Sequence, residues 1–337
     1  MTSFRAFRID NVDNEIRSGF QTLTVDDLSD GDVVVRVSHS TINYKDALAA
    51  TGAGRILRSY PLNGGIDMAG TVVSSDDSRF APGDRVLATG SGLSETIDGG
   101  YSEYFRGPGD VLVPIPENIS NAQAMQIGTA GFTAALAIHR MEQNGQSPQQ
   151  GPVVVTGATG GVGSLAIDML SGLGYETVAV TGKAEQDAYL KSIGASRILL
   201  RDQIDFGKRP LENALWAGAI DNLGGEHLTW LTRTVQYGGN IASIGLAASP
   251  TLSTTVMPFI LRAVCLLGIN SVETPRELRL AVWERIAGDM APRHLDTIGH
   301  ETIRFRELPG RFDAYLRGEV TGRVVVELNN AGNNDTA

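Results

Sequence analysis

Pro152–Gly163, which reads PVVVTGATGGVG, is the stretch that decides the fold of this chain. The extended, largely β-branched positions Pro152–Thr156 predict a strand, and the apolar spacing of Val162–Leu173 predicts a helix. The glycines between them suit a tight turn whose backbone can approach a pyrophosphate, with the free N–H groups of the helix facing the anion. The alternative is a mere strand-to-helix connection, because the spacing is GxxGGxG rather than GxGxxG.

We interpret the turn as a dinucleotide-binding turn with five candidate contacts, Thr159, Gly160, Gly161, Val162 and Gly163. The next predicted strand, Tyr175–Val180, indicates which dinucleotide binds. An NAD site places an acidic residue after this strand, whereas this chain has Thr181, Gly182 and Lys183. A lysine can make a charge-assisted hydrogen bond to a 2′-phosphate, which a carboxylate would repel. The sequence therefore predicts NADPH as the cofactor.

Arg201 is a second candidate for the 2′-phosphate, because it directly follows the predicted strand Arg197–Leu200. For both cations the alternative is a solvated surface side chain, since lysine and arginine are mostly exposed in proteins.

The length, net charge and cysteine content of the chain limit the classes of protein to which it can belong. A length of 337 residues favours two domains, and a net charge of −10 argues against a nucleic acid or an anionic membrane as the main partner. The single cysteine, Cys265, excludes an internal disulfide and lies in an apolar run, which predicts a small buried side chain. No apolar signal segment or run of about 18 apolar residues is present, so the cytoplasm is the expected location.

Strand patterns change character along the chain. The region up to about Met125 has short strands between frequent Gly and Pro residues, and a helix is predicted near Tyr44. These early strands are Val33–Val37, Gly65–Ser74, Asp84–Ala88, Tyr101–Phe105 and Val111–Ile115. Two helices follow, Asn121–Gly128 and Thr129–Glu142, and then strands alternate with helices. The six later strands are Pro152–Thr156, Tyr175–Val180, Ser196–Leu200, Ala217–Asp221, Asn240–Ile244 and Val264–Ile269.

This alternation predicts an α/β fold with a doubly wound, parallel six-stranded sheet. The last segments, a helix at Pro275–Ala287 and strand-like runs at Thr297–Phe305 and Thr321–Leu328, do not continue that sheet. We therefore predict a nucleotide-binding domain at 126–272 and a β-rich domain formed by 1–125 together with 273–337.

Motifs spread over nearly the whole chain resemble those of the medium-chain dehydrogenase/reductase superfamily. They include INYKDAL (Ile42–Leu48), GGIDMAGTV (Gly64–Val72), PGDRV (Pro82–Val86), GGYSEY (Gly99–Tyr104) and TAGFTAALAI (Thr129–Ile138). The runs TGKAEQDAYLKSIGAS, SIGLAAS, TTVMPFILR and LLGINSV are similar to its acryloyl-CoA reductase branch. The resemblance implies a Rossmann domain for NADPH beside a GroES-like catalytic domain.

The chain departs from the zinc alcohol dehydrogenases of that superfamily. Asn43 stands where they carry a catalytic cysteine, and Asp67 stands where they carry the glutamate of a Gly-His-Glu run. The structural zinc lobe needs four cysteines, and the five histidines lack ligand spacing at His39, His139, His227, His294 and His300. We therefore predict a zinc-independent enzyme with no metal. Hydride addition to an activated C=C suits such a site, because hydrogen-bond donors can hold the enolate.

The resemblance also implies site residues. Tyr44 is expected near the nicotinamide, with a buried structural tyrosine as the alternative. Asp46 is a second catalytic candidate, although a helix-capping role is favoured for it, and Asp67 is a cap or turn residue in the same alternative. Further cofactor contacts are implied for Thr129, Thr133, Leu246, Ile260, Asn270, Ser271 and Arg323. For Leu246 and Ile260 the alternative is a core position, and for Arg323 an exposed one.

Arg55 and Arg58, in the loop GAGRILRSYP, are candidate partners for the phosphates of a CoA substrate. The predicted activity is NADPH-dependent reduction of acryloyl-CoA to propanoyl-CoA. The alternatives are a quinone or enone reductase, and a non-catalytic NADPH-binding protein with a structural or regulatory role. The resemblance further implies a homodimer that pairs through VCLLGIN (Val264–Asn270) as an edge strand, because an apolar edge needs covering.

Overall fold

The computed structural model describes residues 3–328 and contains two compact units. The β-rich unit holds the described residues up to Thr129, the segment Val272–Leu280 and the residues from Gly299 onward. The parallel-sheet unit holds Ala130–Ser271 and Ala281–Ile298. The domain limits given from the sequence stay a prediction.

The strands are β1 (Phe4–Val12), β2 (Glu15–Leu23), β3 (Val33–Thr41), β4 (Leu62–Asn63), β5 (Asp67–Ser75), β6 (Arg85–Thr89), β7 (Tyr104–Gly107), β8 (Val113–Pro114), β9 (Val153–Thr156), β10 (Thr177–Thr181), β11 (Arg197–Leu200), β12 (Trp216–Asp221), β13 (Val235–Ser243), β14 (Cys265–Gly268), β15 (Glu301–Arg304) and β16 (Val324–Glu327). The α-helices are α1 (Tyr44–Thr51), α2 (Asn121–Gln143), α3 (Gly161–Gly172), α4 (Asp187–Ser192), α5 (Gly225–Thr234), α6 (Met257–Arg262), α7 (Arg276–Ala287), α8 (Leu295–Ile298) and α9 (Phe312–Leu316). Among residues 3–328, no helix combines the length and the apolar character that crossing a membrane requires.

The parallel-sheet unit confirms the predicted doubly wound sheet. Its six strands lie in the order β11-β10-β9-β12-β13-β14, and all five pairings are parallel. This is the strand order of dinucleotide-binding sheets, with the reversal between β9 and β12. Strand β9 is buried at every position, because helices cover both faces of such a sheet. Strand β13 begins at Val235, five residues before the predicted Asn240, and includes Gly238, whose φ is 71°.

Strand β14 lies at one edge of this sheet. The prediction that Cys265 is buried is wrong, because an edge strand has a neighbour on one side only and even its inward-facing side chains are incompletely covered. Cys265 is half-buried and Leu266 is exposed.

The β-rich unit begins with a hairpin that the sequence analysis missed. Strands β1 and β2 pair antiparallel over nine residues each through a two-residue turn with left-handed Asp13 and Asn14. Phe7 and Ile9 are buried and alternate with polar residues. The charged residues on the exposed face of the strands make this alternation hard to recognise in the sequence. The second sheet of the unit runs β15-β16-β3-β5-β6-β8, with β7 on β3.

Several predicted boundaries in this unit are wrong. The predicted strand Tyr101–Phe105 is β7, which starts three residues later, and Val111–Ile115 shrinks to the two residues of β8. Thr297 and Ile298 end helix α8, so only the last part of the run Thr297–Phe305 is strand. The predicted break between two helices at Gly128 is confirmed as a kink in α2, because Gly128 has φ 51° and ψ −158°.

Candidate active site

Asp46 lies in the first turn of α1 and is buried. Asn43 precedes the helix, and its backbone N–H and side-chain Nδ2 donate to Asp46 Oδ2 at 2.8 and 3.2 Å. The backbone N–H of Ile66 donates to Asp46 Oδ1 at 2.9 Å. A carboxylate at a helix N-terminus satisfies otherwise unpaired N–H groups. This is the capping role that the sequence favoured, and a catalytic role for Asp46 stays a prediction.

Asp67 begins β5 and caps a second helical segment. The kink at Gly128 restarts the helix at Thr129, whose backbone N–H donates to both Asp67 oxygens at 3.0 and 3.1 Å. The hydroxyl of Thr129 also donates to Asp67 Oδ1 at 2.5 Å. A side chain at position 128 would not fit, because a Cβ there would lie 2.8 Å from Asp67 Oδ2.

Asn43 and Asp67, the two positions at which the chain departs from the zinc enzymes, are hydrogen-bonded to each other. Asn43 Nδ2 donates to Asp67 Oδ2 at 2.8 Å. The same amide nitrogen also contacts Asp46. One amide thus bridges two buried carboxyl groups. Among residues 3–328, no three His, Cys, Asp or Glu side chains form a group that could hold a metal ion.

Arg323 is 3% exposed, so its exposed alternative is wrong. Its guanidinium nitrogen Nη2 lies 3.8 Å from Asp67 Oδ2. Its other contacts, at 2.8–3.3 Å, are donated to Thr41 Oγ1, Asn43 Oδ1, Ile42 O and Gln126 O. The structure therefore brings the predicted residues Asp46, Thr129 and Arg323 together around Asn43 and Asp67. Contact of Thr129 and Arg323 with a cofactor stays a prediction.

Burial dominates the electrostatics of this cluster. Desolvation and the neighbouring Asp67 raise the pKa of Asp46 to about 7. Desolvation also raises the pKa of Asp67, and Arg323 and Thr129 oppose that rise. Ionisation of one carboxyl group therefore disfavours ionisation of the other.

Tyr44 is the first residue of α1 and is 44% exposed. The buried alternative for Tyr44 is therefore wrong. The hydrogen bonds between Asn43 and Asp46 fix the helical turn that carries Tyr44. The phenol itself is exposed, so a ligand can reach it.

A second feature of the β-rich unit is an open pocket of about 410 Å³, which we call the basic pocket. Its lining residues are Lys45, Arg55, Ile56, Leu57, Arg58 and Glu95. Arg55 and Arg58, the predicted substrate contacts, are thus brought together. Lys45, which adjoins Tyr44 in α1, and Glu95 were not identified as site residues. Their 50-residue separation gave no local signal, and only the fold places them 2.7 Å apart.

The glycine turn of the parallel-sheet unit fits a pyrophosphate. Gly157 follows β9 with φ 61°, and Gly160 precedes α3. A Cβ at Gly163 would lie 2.4 Å from Gly157 O, so the helix can approach the turn only with glycine there. The first N–H groups of α3 have no partner within the helix and can face an anion.

The predicted phosphate contacts Lys183 and Arg201 follow two adjacent strands, β10 and β11, which pair in parallel with Thr181 opposite Leu200. The Arg201 side chain lies beside Gly182: a Cβ added at position 182 would be 3.0 Å from Arg201 Nη2. The two cations are therefore carried at the same edge of the sheet.

The remaining predicted contacts divide by exposure. Thr133 and Thr159 are buried. Leu246 and Ile260 are exposed, so the core alternative is wrong for both. Asn270 is exposed and Ser271 is half-buried in the segment that follows β14. Cofactor contact of these residues stays a prediction.

Comparison with known proteins places these features in a family. The family profile "Alcohol dehydrogenase GroES-like domain" matches residues 29–117, and "Zinc-binding dehydrogenase" matches residues 161–288. The acrylyl-CoA reductase AcuI of Ruegeria pomeroyi is 46% identical over 321 residues, which cover 95% of this chain and 97% of AcuI. The chain belongs to the medium-chain dehydrogenase/reductase family.

Two solved structures of such dehydrogenase/reductases are also similar to this chain. YhdH of Escherichia coli K-12, solved with bound NADPH, is 46% identical with a TM-score of 0.92, covering 96% of this chain and all of YhdH. YhfP of Bacillus subtilis, which carries a provisional quinone oxidoreductase name, is 48% identical. Its structure was solved with NAD bound and has a TM-score of 0.94, covering 97% of this chain and all of YhfP.

These relatives confirm the two-domain fold of this dehydrogenase/reductase, a GroES-like domain and a Rossmann-type six-stranded sheet. The chain is accordingly an oxidoreductase. The buried cluster and the basic pocket both lie in its β-rich unit, and the glycine turn lies in its parallel-sheet unit.

Proposed function

We propose that the chain is a cytoplasmic NADPH-dependent reductase that converts acryloyl-CoA to propanoyl-CoA without a metal. The observation that carries this proposal is the basic pocket. Three cations, Lys45, Arg55 and Arg58, line one pocket against the single carboxylate of Glu95. Phosphate groups of CoA suit such a pocket, whereas a quinone offers no comparable anion. The AcuI name of a relative at 46% identity supports the same substrate.

The turn Thr159–Gly163 would hold the cofactor pyrophosphate, and Lys183 with Arg201 would hold the 2′-phosphate. When bound, NADPH supplies the hydride. In the net reaction the hydride adds to the β-carbon of the thioester, a proton adds to the α-carbon, and NADP⁺ leaves with propanoyl-CoA.

Tyr44 is our candidate for orienting the substrate or donating the proton. Its phenol is exposed on a turn fixed by Asn43 and Asp46. A hydrogen bond from an O–H or N–H donor to the thioester carbonyl would stabilise the enolate that hydride addition forms. Asp46 supports this role by holding the turn, while direct proton donation by Asp46 is opposed by its burial.

The test is NADPH oxidation by the purified chain with acryloyl-CoA, crotonyl-CoA and a benzoquinone in parallel. We expect rapid turnover of acryloyl-CoA. Quinone turnover without thioester turnover would replace the proposal by a quinone or enone reductase, which the provisional name of YhfP favours. Tight NADPH binding with no turnover of any acceptor would indicate a non-catalytic NADPH-binding protein.

Lys183→Glu is expected to weaken NADPH binding about 10- to 100-fold and to change NADH binding about threefold or less. The variant replaces a charge-assisted hydrogen bond of about 1.5–3 kcal/mol by repulsion of the 2′-phosphate. Calorimetric titration with both nucleotides measures the difference. Lys208→Glu makes the same charge change at an exposed position of the same unit and serves as the control. Equal losses for NADPH and NADH would contradict a phosphate contact by Lys183.

We also propose that two copies pair through β14. Support comes from its position at the sheet edge and from the exposed apolar side chains of Ile260, Leu261 and Leu266 in the same unit. Leu266→Lys is expected to shift the chain from dimer to monomer in sedimentation experiments, because a charge on an edge strand opposes pairing. Leu215→Lys alters another exposed leucine and should leave the dimer intact. A monomeric wild-type chain at micromolar concentration would contradict pairing.

A further inference from the structure

We infer that Glu95 is a positioning residue whose carboxylate holds Lys45, and whose backbone carbonyl holds the loop that carries Arg58, in place for the phosphate groups of the CoA substrate. The inference rests on the proposed function. It adds Lys45 to the phosphate-binding residues and gives the one acidic residue of the pocket a role.

Glu95 ties two separate segments of the β-rich unit together. Its carboxylate accepts a hydrogen bond from Lys45 Nζ at 2.7 Å, which fixes a side chain of α1. Its backbone carbonyl accepts from the backbone N–H of Arg58 at 2.7 Å, which fixes the loop after α1. One residue therefore sets the positions from which Lys45 and Arg58 reach the pocket.

Glu95 and the loop after α1, which together support the pocket, are each held by further contacts. Glu95 is 8% exposed and lies in a turn in which its own N–H donates to Gly92 O at 3.0 Å. Leu57 is buried in the core of the unit, and Ile56 packs against that core. The backbone segment that carries the exposed side chains of Arg55 and Arg58 is therefore held by the hydrogen bond to Glu95 and by the apolar contacts of Ile56 and Leu57. A pocket arranged before binding loses less conformational entropy when the ligand enters.

The charges leave the pocket suited to an anion. Three cations against one carboxylate leave a formal excess of two positive charges. A lysine ammonium has three donors, and the bond to Glu95 uses one of them. Lys45 can therefore keep its contact with Glu95 and still donate to a phosphate oxygen. Without Glu95 the lysine side chain gains rotamer freedom, and its contact with the phosphate costs more entropy.

This arrangement predicts a split between acryloyl-CoA and a truncated thioester that lacks the nucleotide end of CoA and, with it, every phosphate. S-acryloyl-N-acetylcysteamine has the same reacting thioester as acryloyl-CoA and lacks the phosphate groups. We expect Glu95→Ala to raise KM for acryloyl-CoA about fivefold with little change in kcat, and to leave both constants unchanged for the truncated thioester. Glu95→Gln can still accept from Lys45 and should give an intermediate KM.

Arg58→Met provides an independent variant in case Glu95→Ala fails to fold. Its backbone bond to Glu95 remains, and we expect KM for acryloyl-CoA to rise about tenfold through loss of a charged hydrogen bond. Glu117→Ala, an exposed change in the same unit, is the control. Rising salt should weaken acryloyl-CoA binding more in the wild type than in Arg58→Met, because the lost contact is ionic.

The two possible failures are distinguishable. A wild type that turns over neither thioester refutes the proposed function and the inference with it. A wild type that turns over both, with unchanged KM for acryloyl-CoA in Glu95→Ala and Arg58→Met, overturns the inference alone. Equal KM increases for both thioesters in those variants would likewise overturn it, since they would show a general structural role.

Discussion

Arg323→Met is expected to destabilise the β-rich unit by about 3–5 kcal/mol at pH 8, the cost of removing one partner from a buried ion pair. The guanidinium nitrogen Nη2 lies 3.8 Å from Asp67 Oδ2 and also donates to Thr41 Oγ1. The variant removes from Asp67 the guanidinium that lies 3.8 Å away and leaves Asn43 Oδ1 without the donor at 3.0 Å. Asp67 is fully buried, so water cannot replace the charge that it loses.

The loss should shrink at low pH. Burial raises the pKa of Asp67, and Arg323 is the main influence that opposes the rise. Removing Arg323 therefore raises the folded-state pKa further above the unfolded one. A group shifted in this direction favours folding while it is protonated and opposes folding as the pH rises through its folded pKa. We expect a smaller difference from the wild type at pH 5 than at pH 8.

Hydrogen exchange of peptides from β3, β5 and β16 measures the effect in the right unit. Tryptophan fluorescence would miss it, because Trp216, Trp230 and Trp283 all belong to the parallel-sheet unit. Arg36→Met, an exposed change on β3, is the matched control. Asp67→Asn combined with Arg323→Met should recover part of the lost protection, since no unpaired charge remains. An equal loss at pH 5 and pH 8 would contradict the ion-pair explanation.

The parallel sheet was predictable because its signals are local. Strand, glycine turn and helix follow one another within Pro152–Leu173, and continuous apolar runs mark strands covered on both faces. The β1–β2 hairpin was missed because one of its faces is solvated and charged. The site in the β-rich unit was harder for another reason. Arg323 and Asn43 are 280 residues apart, and Lys45 and Glu95 are 50 apart, so only tertiary structure pairs them.

Gly163→Ala is expected to weaken NADPH binding at least about 30-fold and to destabilise the parallel-sheet unit by about 1–3 kcal/mol, the usual cost of overpacking. The new Cβ would lie 2.4 Å from Gly157 O and 2.8 Å from Ala158 Cα. Both are backbone atoms, so helix α3 must move away from the turn. Alanine favours a helix over glycine by about 1 kcal/mol, so any loss must come from this contact. Tryptophan fluorescence during denaturation and calorimetric NADPH titration measure the two effects.

Two other glycine variants separate packing from ligand binding. Gly172→Ala, at the other end of α3, meets only the flexible Arg293 side chain at 3.3 Å and should reduce neither the stability nor the NADPH affinity. Gly160 has φ −75°, and a Cβ there meets its nearest atom at 3.4 Å. Gly160→Ala should therefore fold normally, and it should lose NADPH affinity only if the backbone at this position approaches the pyrophosphate. If Gly160→Ala and Gly163→Ala both bind NADPH as the wild type does, the turn is merely a strand-to-helix connection. Loss of affinity in Gly160→Ala with full stability would assign the turn to the cofactor.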